Sequence, residues 1–180
     1  MRVLGLLLLV CVVAACGDDF ATVEPTNPER AADGLVFTRA DGSSYELLDA
    51  VATCLPSEQK PGVDVVRLIA PADVEDSHRP PFFMVEALPG VTGDFPLPLH
   101  ERDDDAGPSD LTLFAMDARR KNELSGSVEE ATGKVTGKVT VREATCDPEP
   151  RLSISIDARL ASEIGLPPVR VRGGMATTGR

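Results

Sequence analysis

His78 and His100 are the only two histidines in the chain, and they are the natural first place to look for chemistry. Imidazole together with Asp73, Glu75 or Asp76 could hold a metal ion. Metal sites, however, show tighter ligand spacing, such as two His on one strand face or helix turn. Both histidines sit in Pro-flanked stretches, so surface-loop histidine is the expectation. A second cluster is the loop "ERDDDAGPSDL", with Asp103, Asp104, Asp105 and Asp110. Grouped carboxylates can bind Ca²⁺, but the EF-hand register fails. Counting from Asp103, Pro108 stands where Gly is required and Phe114 where Glu is required. A solvated acidic loop is expected, with another kind of calcium loop as the alternative. For nucleophilic catalysis there is no Gly-x-Ser-x-Gly, and no Cys-x-x-Cys supports thiol redox chemistry. With no Trp and one Tyr, an aromatic sugar platform is missing. Arg119-Arg120-Lys121 reads as a solvated hairpin cap, with an anionic glycan or partner as the alternative. No residue is therefore assigned a catalytic or metal-binding role, and no cofactor is expected.

The amino-terminal segment is more specific. Arg2 precedes the apolar or small residues 3–15, thirteen in all. A bilayer-spanning helix needs about 20, so the length suits a secretory h-region. The segment closes with Val13-Ala14-Ala15-Cys16. This resembles the lipobox of bacterial lipoproteins: an aliphatic residue, two small residues and Cys. The resemblance covers residues 1–16. It implies a diacylglyceryl group on Cys16 and cleavage between Ala15 and Cys16. Cys11 follows Leu9-Val10, a poor small-residue pair. The alternative is an ordinary signal peptide with Cys16 as a bystander. Two or three acyl chains make a durable anchor where a single myristoyl chain holds only marginally. Residues 16–30 contain Pro25, Pro28 and several acids, and read as a flexible tether. Gly17 follows the lipidated position, where Asp signals inner-membrane retention in enteric bacteria. The expected location is thus the cell envelope, at the outer membrane or cell surface.

Of 180 residues, 18 are Lys or Arg and 29 are Asp or Glu, for a net charge of −11. That excess of acid disfavours nucleic acid and anionic lipid as general partners of the folded part. The length leaves about one domain, residues 31–180. Cys54 and Cys146 remain after Cys11 and Cys16 are accounted for. An even pair in an exported chain reads as a disulfide, the alternative being two separate buried thiols.

These residues must be positioned by strands. "RLSISIDARL" alternates strictly: Leu152, Ile154, Ile156, Ala158 and Leu160 share one face. "GKVTGKVTVREATC" places Val135, Val139 and Val141 on one face with Gly137. "LSGSVEEA", with Thr132-Gly133 as its turn, and "PVRVRGGMA" complete an expected four-strand meander. Residues 161–165 are expected to add at most one helical turn. Upstream, "GLVFTRADGSSYEL" reads as a hairpin turning at Asp41-Gly42. "YELLDAVATCL" fits helix or strand, and strand is preferred, with Tyr45, Leu47, Val51 and Thr53 on one face. "VDVVRLIAP" and "FFMVEALPG" read as central strands, "LTLFAMDA" as another, and "FPLPL" as an edge or loop because of its prolines. The expected fold is all-β: an antiparallel β-sandwich, or partly open barrel, of about nine strands with Greek-key or meander connections. Gly126-Ser127-Val128, Val135-Thr136-Gly137-Lys138-Val139 and Val171-Arg172-Gly173-Gly174 loosely resemble uncharacterised β-rich lipoproteins of high-GC bacteria. That resemblance implies a sandwich and no activity.

The resulting expectation is a lipid-anchored envelope lipoprotein with a β-sandwich binding or structural module, not an enzyme. Its partners would be the membrane, through the anchor, and an envelope protein or glycan. The alternatives are an envelope hydrolase with a site assembled from loops, and a calcium-stabilised adhesion domain.

Overall fold

Alternating apolar residues build strands throughout the computed structural model, which describes residues 34–57, 61–72, 80–99, 110–119, 122–127 and 134–178. Among these residues there are eleven strands and no helix. They are β1 (Gly34–Thr38), β2 (Ser44–Leu47), β3 (Val51–Pro56), β4 (Asp64–Ala70), β5 (Phe82–Ala87) and β6 (Gly93–Leu97), followed by β7 (Leu111–Asp117), β8 (Asn122–Ser125), β9 (Thr136–Thr145), β10 (Arg151–Ser162) and β11 (Val169–Thr178).

Two antiparallel sets share β10. The first runs β2-β1-β11-β10-β9-β6 and the second β3-β4-β5-β7-β8. Residues 151–160 of β10 pair with β11, while its last two, Ala161 and Ser162, pair with Ser125 and Leu124 of β8. One strand thus carries the sheet around a bend, and the whole curls into a half-barrel. The all-β, antiparallel expectation holds, in its partly open barrel form. The core lies inside the curl. Phe37 of β1 meets Phe83 of β5 edge to face at 6.2 Å, and both are fully buried with Leu68, Ile154 and Leu160.

The Asp41-Gly42 hairpin, the central β4 and β5, and the edge position of β6 are as expected. Pro96 has no N–H to give, which suits a strand paired on one side only. The segment 45–55 is strand, but broken. Leu47 faces inward in β2, and a corner at Leu48-Asp49-Ala50 then turns the chain into the second sheet. After the corner Ala52 is buried and Cys54 packs on the core, so the inward row of β3 is the even one and not Val51 and Thr53.

The four-strand meander is also corrected. β9, β10 and β11 are consecutive neighbours, but β8 lies in the second sheet. The cause is its antiparallel pairing with β7, with the Asn122 N–H donating to the Arg119 carbonyl at 3.1 Å where β8 begins to pair. The proposed Thr132-Gly133 turn lies outside the described residues. At 161–165 pairing with β8 keeps Ala161 and Ser162 extended, and one turn follows at 163–165, within the bound of a single turn.

A bulge in β9 matters most for the cysteines. Val139 and Val141 face the core, yet Ile154 pairs with Val141 and Ser153 with Glu143, so Arg142 is the extra residue. A one-residue insertion exchanges the two faces of a strand. Beyond it Ala144 is buried and Cys146 packs on the core. Cys146 thereby meets Cys54 in a disulfide with a Cα–Cα distance of 5.8 Å and a sequence separation of 92. It ties the edge strand of the second sheet to the first. On the chain-entropy model a loop of this size contributes about 4–5 kcal/mol.

Two glycines are demanded by close backbone approach. At Gly137 (φ +115°) a Cβ would lie 2.2 Å from the Asp157 carbonyl oxygen, and at Gly173 (φ +129°) 2.1 Å from that of Gly34.

Candidate functional site

The inward row of β1, Leu35 and Phe37, continues to Arg39 just past the strand. The inward row of β7, Leu111, Leu113 and Ala115, continues to Asp117. Each row therefore ends by carrying a charge to the same end of the half-barrel. An isolated charge there would be costly, and the two meet. Arg39 Nε donates to Asp117 Oδ2 at 2.9 Å and to Oδ1 at 3.1 Å, and Nη2 donates to Oδ1 at 2.5 Å. The side chains are 14% and 3% exposed, so this is a largely desolvated, forked pair. The hydrogen bond from Arg39 to Asp117 holds the guanidinium pKa above its ordinary value.

The β1–β2 turn fixes Arg39 from the other side. The Gly42 N–H donates to the Arg39 carbonyl at 3.0 Å, and the Arg39 N–H to the Ser43 carbonyl at 2.9 Å. Arg39 Nη1 donates to Ser43 Oγ at 3.1 Å. Its guanidinium also lies 4.9 Å above the Tyr45 ring, which stacks on Phe37 at 4.8 Å. The Tyr45 hydroxyl is buried without a standard hydrogen bond. Burial first, and the Asp117 carboxylate second, push the phenol pKa well up.

At the rim, Asp41 accepts from Ser43 Oγ at 2.6 Å, from the Ser43 N–H at 3.0 Å, and from Arg119 Nη1. The Ser43 hydroxyl, then the Ser43 N–H and Arg119, hold its carboxyl well below the usual carboxylate range. On the other wall Asn122 is buried, and its Oδ1 accepts from Ser162 Oγ at 2.5 Å. Ser162 Oγ in turn accepts from the Leu166 N–H at 3.1 Å, which places Leu166 and Pro167. Together Arg39, Asp41, Asp117, Arg119, Asn122, Leu166, Pro167 and Val169 enclose a cleft of about 280 Å³.

The cleft has an apolar wall, a buried carboxamide and a rim of paired charges. In small-ligand sites apolar surface gives contact area and a few fixed polar groups orient what binds. The volume is at the lower end for small-ligand sites.

Cys54 and Cys146 come together as expected. Arg119 is exposed and belongs to the cleft rim through Asp41. Asp110 is exposed just before β7. Cys16, Asp73, Glu75, Asp76, His78, His100, Asp103, Asp104, Asp105, Arg120 and Lys121 lie outside the described residues. Among the described residues, no three His, Cys, Asp or Glu side chains cluster as a metal site. Sequence reading missed Arg39, Asp117 and Asn122. A usable signal was there: Arg39 and Asp117 each fall on the apolar parity of their strand, where a charge requires a partner.

No protein family, curated protein or solved structure matches the chain.

Proposed function

We propose that the protein is an exported, lipid-anchored lipoprotein of the bacterial cell envelope, with the half-barrel as its binding or structural module. The observation that carries this reading is the Cys54–Cys146 bridge. Such bridges persist in oxidising compartments and are rare in the cytosol. That agrees with the export signal and with Val13-Ala14-Ala15-Cys16, which would make Cys16 the acylated residue. Residues 16–30 would hold the barrel away from the bilayer, and Gly17 favours the outer membrane or cell surface. The cleft at Arg39 and Asp117 is the part suited to hold a group from an envelope protein or glycan.

The test is expression of the full chain and of a Cys16→Ser variant in a bacterial host. Membrane fractionation is followed by intact-mass measurement. The parent should fractionate with membranes, lack residues 1–15, carry an acyl-glyceryl mass, and show the hydrogen deficit of one disulfide. The variant should be released. Equal membrane retention of the two proteins would overturn the anchor, and two free thiols in the exported parent would remove its main support.

A further inference from the structure

The outer face of the first sheet gathers positive charge. In register, Asp157 of β10 lies between Arg172 of β11 and Lys138 of β9. One pair further along, Arg159 lies between Arg170 and Thr136. Four cations thus surround two carboxylates, Asp157 and Asp94, in a chain whose net charge is −11.

The pairing is uneven. Arg172 grips both oxygens of Asp157 at 3.1 Å, and Lys138 reaches Asp94 at 2.7 Å. Arg170 is held more loosely, with contacts of 3.3 and 3.4 Å to one Asp157 oxygen. Arg159 makes no ion pair or side-chain hydrogen bond with any described residue, and it stands directly opposite Arg170. Like charges facing each other across a strand pair are unfavourable unless an anion lies between them.

There is space for that anion. Thr136, Gly137, Asp157, Ala158, Arg159 and Arg170 line a shallow depression of about 260 Å³. Among its lining residues Gly137 carries no side chain and Ala158 is buried. Two guanidinium-bearing side chains, Arg159 and Arg170, and Thr136 share this lining. A carboxylate has only two oxygens to offer. A tetrahedral oxyanion can meet both forks and the hydroxyl together. Asp157 on the wall is offset by the two-point grip of Arg172.

We propose that this depression is an anion site for a phosphate group, held by Arg159 and Arg170 with Thr136. The group could belong to a free phosphate or monoester, or to the phosphodiester of a lipid headgroup.

The test uses the full chain in a maltoside detergent. Arginine Nε–Hε NMR signals are followed during titration with sodium phosphate, with glycerophosphoglycerol, and with sodium chloride at matched ionic strength. Saturable shifts at Arg159 and Arg170 with either phosphate compound, and not with chloride, are expected. Arg159→Gln and Arg170→Gln should each weaken binding about tenfold, the scale of one charge-assisted hydrogen-bonded contact. Arg142→Gln, elsewhere on β9, should leave it unchanged. Preference for the diester assigns the site to a headgroup, and preference for inorganic phosphate to a free phosphate or monoester. Equal response to chloride, no response to either phosphate compound, or full binding by both Gln variants overturns the proposal. Melting curves check folding, and these exposed substitutions should not lower the melting temperature.

Discussion

Two sets of arginines sit at the same end of the half-barrel and live under different rules. Thr38 pairs with Arg170, and the next residue along is Arg39. Arg39 turns inward, loses its water and is met by Asp117, Ser43 and the Tyr45 ring. Arg159 and Arg170 turn outward and face each other, Arg170 with only a loose contact to Asp157 at 3.3 Å. A buried charge must be satisfied within the fold, because the alternative is an uncompensated ion in low dielectric. An exposed charge can stay unsatisfied at little cost, and so remains available to something else. The comparison separates charge that holds the structure together from charge that the structure can lend.

The largest expected effect comes from breaking the inner pair. Asp117→Ala leaves Arg39 without its carboxylate and should cost about 3 kcal/mol in urea unfolding. A loss under 1 kcal/mol would mean that water reaches Arg39 freely and that the inner pair resembles the outer set. Next is the backbone beneath the outer depression. Gly137→Ala places a methyl group against the Asp157 carbonyl in a left-handed backbone conformation, and should cost about 2–3 kcal/mol. The outer surface would then have a rigid floor under expendable side chains.

Tyr45→Phe sharpens the inner side. Removing a buried hydroxyl that lacks a standard hydrogen bond should leave stability at neutral pH unchanged or raise it by up to about 1 kcal/mol. Its signature is in alkali. The folded phenol pKa is raised, so the folded state keeps this proton where the unfolded state, with a phenol pKa of about 10, releases it. The contribution is fully present below about pH 10 and is lost as pH rises toward the folded value. Tyr45→Phe should flatten stability against pH above about 10, and an unaltered alkaline slope would count against the burial assigned to Tyr45. The smallest effect is expected for Arg159→Gln. Relief of like-charge opposition should leave stability within about 0.5 kcal/mol of the parent, on the stabilising side. A clear loss would mean that Arg159 has a structural partner.

The β9–β11 region was legible because one apolar and one polar face alternate over ten or more residues, and the Asp41-Gly42 turn because few other sequences make that hairpin. What stayed hidden depended on single-residue insertions and on partners far apart in the chain. Nothing in "VTVREATC" announces that Arg142 is the bulged residue, yet that one step carries Cys146 to the core side. The cleft draws on β1, β7, β8 and the segment before β11. Arg39 and Asp117 are separated by 78 residues. Each was readable as an anomaly on its own strand, but pairing them required the curl of the sheet. The place of β8 stayed hidden because its own four residues are uninformative and its partner is β7.

The covalent link between β3 and the end of β9 has a further consequence. A protease cutting the backbone once anywhere between Cys54 and Cys146 would leave two fragments travelling as a single molecule, parted only by unfolding together with a reductant. Where no reductant is present, a backbone nick in this span would release neither half.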